Sequence, residues 1–168
     1  MLQPTVRRTW APRGQTPLLY CWDRRERWSV ISALSLSPHG RRLGLYFQMF
    51  AQNIAHPQAE EFIAELLVHF PRGIILVWDR WMVHRAAARH LRERFPRRLQ
   101  IEWLPPYAPD LNPDEQVWNR TKYTDLANYR AEDAATLARA VKTSLRRTRS
   151  RQGLLRSFFK HAKLSLFS

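Results

Sequence analysis

Asp79 and Glu115 are the residues of this chain best placed to do chemistry, two carboxylates set 36 positions apart. Asp79 closes the apolar run Gly73-Ile-Ile-Leu-Val-Trp78. Glu115 lies in Leu104-Pro-Pro-Tyr-Ala-Pro-Asp-Leu-Asn-Pro-Asp-Glu-Gln-Val-Trp118, a proline-punctuated approach to a helix start. Phosphodiester cleavage needs a positioned nucleophile, an in-line leaving oxygen and neutralisation of the charge that builds on phosphorus. Two divalent ions about 4 Å apart supply all three. Hard oxygen ligands hold such ions, so two or three converging Asp or Glu side chains suffice. An Asp at the C-terminal end of a strand and a Glu on the first turn of a helix suit that task, since open α/β sheets bind ligands at that edge.

Each carboxylate also has a purely structural reading. Asn112 as N-cap, Pro113 at the first helical position and Glu115 at the third form a capping-box pattern. Asp79 could simply terminate a strand or cap a helix. Asp110 and Asp114 read as turn and first-turn residues. His84 is open between packing after the strand and contacting a substrate phosphate. Trp81 and Trp118 flank the acidic positions and are expected to line the site.

The elements that must position these residues follow from periodicity. Leu18 to Asp23, Trp28 to Ser37 and Leu43 to Phe50 read as three strands. Trp28, Val30, Leu34 and Leu36 share one parity, as do Leu43, Leu45, Phe47 and Met49, with a turn at 37–42 between the last two runs. The period changes at Pro57 to Phe70, where Phe62, Ile63, Leu66, Leu67 and Phe70 recur at helical spacing until Pro71 and Gly73 end the helix. A strand through Val77, a helix from about His84 to Phe95 and a short strand Gln100 to Leu104 come next. One helix from Pro113 to about Asn128 and another from about Glu132 to Arg149 complete the β-β-β-α-β-α-β-plus-helices pattern. In the second helix Leu137, Ala140, Val141, Ser144 and Leu145 mark the inner face.

Composition narrows the class. A chain of 168 residues, 45% hydrophobic, fits one globular domain spanning 1–168. Its formal charge of +14, from 28 Lys and Arg against 14 Asp and Glu, implies a polyanionic partner. After Asp133 no acidic residue occurs, while Arg and Lys recur with Phe158 and Phe159 interleaved, which favours a DNA-facing surface over a merely solvated one. No apolar run approaches the roughly 20 residues that span a bilayer, so a cytoplasmic, nucleoid-associated protein with no membrane partner is expected. The single cysteine, Cys21, excludes an internal disulfide and a cysteine-rich zinc site. The six histidines show no His-x-x-x-His pair or other ligand spacing, so carboxylates must hold any catalytic metal.

Leu76-Val-Trp-Asp79 with His84, followed by the Leu104-to-Glu115 segment and Val117-Trp118, resembles the catalytic domain of DDE transposases, specifically bacterial insertion-sequence transposases related to the mariner superfamily. Arg8-Thr-Trp-Ala-Pro-Arg-Gly-Gln-Thr-Pro17 and Trp28-Ser-Val-Ile-Ser-Ala-Leu34 also look like family segments, so the resemblance covers nearly the whole chain. It implies an α/β, RNase H-like mixed sheet of three antiparallel strands followed by parallel ones, flanked by helices. Asp79 and Glu115 would be the second and third catalytic acids and metal ligands, holding two Mg²⁺ or Mn²⁺ ions that serve cleavage and strand transfer at transposon ends. DNA, both transposon ends and target, is the implied partner, and a homodimer the implied assembly. The expected DNA-contacting residues are Arg80, His84, Lys122, Arg146, Arg147, Arg149 and Arg151.

Two departures qualify the resemblance. Arg80 stands where the family usually has Asn, bringing a positive charge beside Asp79. The family's first catalytic Asp sits on a strand that precedes the segment matching Leu2 to Trp10, so that central strand, its Asp and the upstream helix-turn-helix region are expected to be missing here. Asp23, in Asp23-Arg-Arg-Glu-Arg27, reads as part of a polar turn rather than a substitute. The expectation is therefore a transposase catalytic domain inactive alone, either the downstream product of a split or frameshifted reading frame, whose upstream segment is then a candidate partner, or a decayed or mis-started remnant. The alternative is a non-catalytic DNA-binding remnant or regulator of transposition.

Overall fold

The computed structural model describes residue 13 and residues 28–38 and 42–164. The first expected strand, Leu18 to Asp23, and with it Cys21 and Asp23, lies outside the described residues. The next two form an antiparallel hairpin, β1 (Ser29–Leu36) and β2 (Leu43–Phe50), in register from Ser29 opposite Phe50 to Leu36 opposite Leu43. Period-2 alternation places their side chains on two faces, and both faces are covered. Ile31, Ala33, Tyr46 and Phe50 enter one hydrophobic cluster. Val30, Leu34, Leu36, Leu43, Leu45, Phe47 and Met49 enter the other, as their shared parity predicts.

The first cluster is built by α1 (His56–His69), β3 (Ile74–Trp78), α2 (Met82–Arg94) and β4 (Leu99–Trp103). Ala59, Phe62, Ile63, Leu66 and Leu67 recur on one face of α1 and are buried, together with Ala87, Ala88 and Leu91 of α2. Three alanines in that seam let the helix backbones approach closely. Strands β3 and β4 are parallel, paired from Ile74 opposite Leu99 to Trp78 opposite Trp103, with α2 as the crossover. Gly73, just before β3, has φ +99°, a conformation that side chains rarely tolerate. A Cβ there would lie 2.5 Å from the Arg98 carbonyl oxygen, which accepts the Ile74 N–H that opens the ladder.

One mixed sheet is expected from the sequence, whereas the described strands form two separate two-stranded sheets. Side chains rather than ladder hydrogen bonds join them, because Ile31 and Ala33 of β1 pack into the cluster that buries Leu76 and Trp78 of β3. The fold is α/β, with helices supplying most of the cover.

Beyond β4 the chain departs further from the expected single helix over 113–128. A 3₁₀ turn at Pro109–Leu111 precedes α3 (Asp114–Arg120), which widens into a π-helical turn over Thr121–Asp125. That turn seats Thr121 and Asp125 against α4 (Ala134–Arg149). Ser144 donates to Asp125 Oδ2 at 2.7 Å, Thr121 and Ser144 hydroxyls pair at 3.3 Å, and Arg120 bridges Asp125 at 3.2 Å. Ser144 is thus an inner-face residue because its hydroxyl has an acceptor there. Asp133 caps α4 by accepting the Thr136 N–H at 2.6 Å.

The basic tail folds as an additional helix, α5 (Gln152–His161), that the charge pattern conceals. Leu155, Phe158 and Phe159 are buried in the second cluster with Leu137, Val141 and Leu145 of α4 and Val117 of α3. Phe158 and Phe159 are therefore core residues. The Gln152 amide acts as a strand partner, accepting from the Leu43 N–H at 3.1 Å and donating to the Leu43 carbonyl at 2.8 Å. Among the described residues no helix is long and apolar enough to cross a membrane.

Candidate active site

Asp79 emerges directly from the C-terminal end of β3. Its Oδ1 accepts from His84 Nδ1 at 2.6 Å and from the Trp81 N–H at 2.9 Å. The second bond is an Asx turn that starts α2, so Asp79 fills the structural role open to it without being consumed by it. His84 is buried, stacked on Trp78 at 4.3 Å and met edge-on by Trp81 at 5.2 Å. An imidazole so enclosed cannot reorient without giving up both ring contacts, and it holds Asp79 in one rotamer. The His84 hydrogen bond keeps the Asp79 carboxyl below the ordinary aspartate range, helped by the Trp81 amide and opposed by partial burial. Asp79 is an ionised, half-exposed and oriented carboxylate near neutral pH.

The parallel register links Asp79 to the segment that bears Glu115. Because Trp78 pairs with Trp103, the chain leaving β4 starts beside Asp79, where the Leu104 N–H donates to the Trp78 carbonyl at 2.8 Å and Arg80 Nε donates to the Leu104 carbonyl at 3.1 Å. Arg80 is thereby part of the site's scaffold, tying the two strand ends. The proline-rich approach is exposed, with Tyr107 at φ +57° and fully open to solvent. Glu115 follows on the first turn of α3, exposed and without a side-chain hydrogen bond among the described residues. The capping-box pattern is not completed, since Asn112 Oδ1 accepts the Asp114 N–H at 3.1 Å but Glu115 does not return the bond.

Asp114, read from the sequence as a first-turn residue, is a half-buried tie between α3 and the hairpin. Its Oδ2 accepts from Ser32 Oγ of β1 at 2.6 Å and from Trp118 Nε1 at 3.1 Å, while Oδ1 is buried with no partner. Burial raises its pKa to about 6, outweighing the two hydrogen bonds, with the neighbouring Glu115 charge adding to the rise. Trp118 therefore faces inward to Asp114, whereas Trp81 remains half-exposed beside Asp79. Asp114 anchors the helix that presents Glu115.

Basic residues occupy two separate surfaces. Arg146, Arg147, Arg149 and Arg151 are exposed at the end of α4 and just after it, and Lys122 is half-buried in the π-helical turn. A groove of about 800 Å³ next to the Asp79 loop is lined by Arg80, Arg85, Arg89, Arg92, Met82 and Trp103 among others. Arg85, Arg89 and Arg92 are legible in the sequence as a helical stripe, at i, i+4 and i+7 on the face of α2 opposite Leu91. The more conspicuous tail masks that shorter, better-placed stripe.

A family model described as DDE superfamily endonuclease matches residues 1–138. No curated protein matches the sequence. Among solved structures, the crystal structure of the Mos1 mariner paired-end complex with Mn is similar at a TM-score of 0.61 and 14% identity, over 97% of this chain and 48% of that chain. The chain spans about half the length of that relative, and the likeness is one of fold.

Proposed function

Because the chain belongs to the DDE superfamily endonuclease family, we propose that it is a transposase catalytic domain whose oxygen ligands Asp79 and Glu115 act in divalent-metal-dependent cleavage and strand transfer at transposon ends. The observation that supports this most is the shared strand edge. The β3–β4 register brings Asp79 and the start of the segment bearing Glu115 to the C-terminal side of one parallel pair. Both donors are hard carboxylate oxygens open to solvent, which fits Mg²⁺ or Mn²⁺. Such ions, when bound, neutralise charge on the phosphorus being transferred.

The protein's own groups do the positioning. His84 fixes the Asp79 rotamer, Arg80 locks the two strand ends, and Asp114 fixes α3 through Ser32. The arginine groove beside the site holds the DNA backbone as a run of phosphate contacts, with Arg146, Arg147, Arg149, Arg151 and Lys122 as a second contact surface. A third acidic ligand of the family pattern has no assignment among the described residues.

The test is nicking of a transposon-end duplex by the chain with Mg²⁺ or Mn²⁺, compared with Asp79→Asn and Glu115→Gln. Loss of cleavage by at least about 100-fold in each variant with unchanged DNA affinity supports the reading. Cleavage that also disappears in Asp23→Ala assigns the third ligand to Asp23. The arginine groove favours a second reading, a DNA-binding regulator of transposition. It prevails if salt-sensitive binding occurs and no metal or substrate elicits a cut.

A further inference from the structure

Histidine spacing along the chain offers no metal motif, yet the fold assembles one towards the C-terminal end of α2, the end away from Asp79. His56 and Glu60 are one turn apart on α1, and His90 reaches them from the C-terminal half of α2. His56 Nδ1 and His90 Nδ1 approach the same oxygen, Glu60 Oε1, at 2.9 and 2.8 Å. The two imidazoles meet edge to face at 5.4 Å, and one ligand atom from each of the three residues lies within 4.8 Å of the others. It is the one group of three such residues so disposed among those described.

The cluster sits on a rigid foundation. Ala59 and Ile63 of α1 and Ala87, Ala88 and Leu91 of α2 are almost fully buried in the seam directly beneath it. Glu60 and His90 are sequence neighbours of seam residues, so their Cα positions are set by core packing. The histidine side chains are about half exposed, at 45% and 56%, and can adjust to an ion without disturbing that seam. Partial burial pushes the Glu60 carboxyl up, but the hydrogen bonds from His56 and His90 outweigh it and hold it below the usual glutamate range. The carboxylate is therefore anionic where the two nitrogens converge.

We propose that His56, Glu60 and His90 form a binding site for a borderline divalent transition metal, Zn²⁺ foremost, which clamps α1 to α2 with solvent water in the fourth position. Two imidazoles and one carboxylate are a common three-residue zinc set, and imidazole donors select against Mg²⁺. Tetrahedral ligands about 2.0–2.1 Å from zinc stand about 3.3 Å apart, so the 2.8 and 2.9 Å contacts open slightly as the ion replaces the shared protons, and the two imidazole nitrogens, within 4.8 Å of each other, settle to the same spacing. This site is chemically distinct from the Asp79 and Glu115 oxygen donors and stands whether or not the chain cuts DNA. An ion bridging two helices of the native state and absent from the unfolded chain raises the folded-to-unfolded ratio about 100-fold at 100 times its dissociation constant.

The experiment titrates the 168-residue chain with Zn²⁺ against a chromophoric chelator in excess Mg²⁺, alongside Glu60→Gln, His90→Asn, His56→Asn and the double variant Asp79→Asn/Glu115→Gln. One equivalent of tight zinc is expected, weakened at least about 10-fold by each of the first three substitutions and unaffected by the double variant. The thermal midpoint should rise with zinc, fall back with chelator, and stay still in His90→Asn. Circular dichroism checks folding, so an unfolded variant at one position leaves the other two to decide. Zinc affinity that is indifferent to all three substitutions, or lost in the Asp79/Glu115 double variant, overturns the proposal, as does displacement by Mg²⁺.

Discussion

The Asp114 carboxyl is desolvated at a cost that the exposed Glu115, one position further on, does not bear. The pKa of Asp114 is raised from 3.8 to about 6, so the folded state binds a proton that the unfolded chain has already released. Stability from this group is fully present below its unfolded pKa and is lost as pH rises through about 6. Asp114→Asn retains an acceptor for Ser32 without the charge. Relative to the parent it should gain on the order of 2–3 kcal/mol between pH 4 and pH 7.5, read from urea midpoints at both values. A parent–variant difference that does not change with pH would refute the assignment. Asp79 runs the opposite way: its lowered pKa stabilises above the unfolded value and is lost as pH falls through the folded one. At this scale the sequence nominates Asp79 and Glu115 by type and context, and the structure places them at a strand end and on the first turn of a helix. It cannot reveal that the Asp114 carboxyl is desolvated, because the hydroxyl it meets, Ser32, stands 82 residues away.

Periodicity and apolar runs locate the hairpin, α1, β3, α2 and β4 to within about two residues, because their apolar residues recur at strand or helix spacing between clear breaks. It misses α5, whose buried stripe of Leu155, Phe158 and Phe159 is diluted by basic residues on the other face, and it misses the π-helical turn, which tertiary partners on α4 impose. Gly73→Ala forces a Cβ against the Arg98 carbonyl at φ +99°, so it should cost roughly 2 kcal/mol or more and shift the urea midpoint with little change in slope. A neutral result would mean that the β3–β4 entry can slide. The α2 stripe and the tail can be told apart by salt. Replacing Arg85, Arg89 and Arg92 with Gln should flatten the log-affinity against log-salt slope for DNA by about 2–3, near 0.9 for each phosphate no longer neutralised, whereas the same slope after replacing Arg146, Arg147 and Arg149 reports the second surface. An unchanged slope in the α2 variant removes the groove from the DNA path.

At the scale of the molecule, a formal charge of +14 favours a polyanionic partner, and the fold decides where that charge is displayed. The β1–β2 hairpin is the wall common to both hydrophobic clusters: Ile31 and Tyr46 belong to one side, Leu45 and Phe47 to the other. Both faces of this strand pair are packed against a cluster, so neither cluster can open without stripping one side of it. The ladder amides of Ile31, Ala33 and Tyr46 should therefore exchange with deuterium only through the global unfolding event, while those of the exposed Pro105-to-Asp110 approach exchange through local opening. The half of the molecule that carries Asp79 and the half that carries Glu115 would then lose their structure together, as a single cooperative unit.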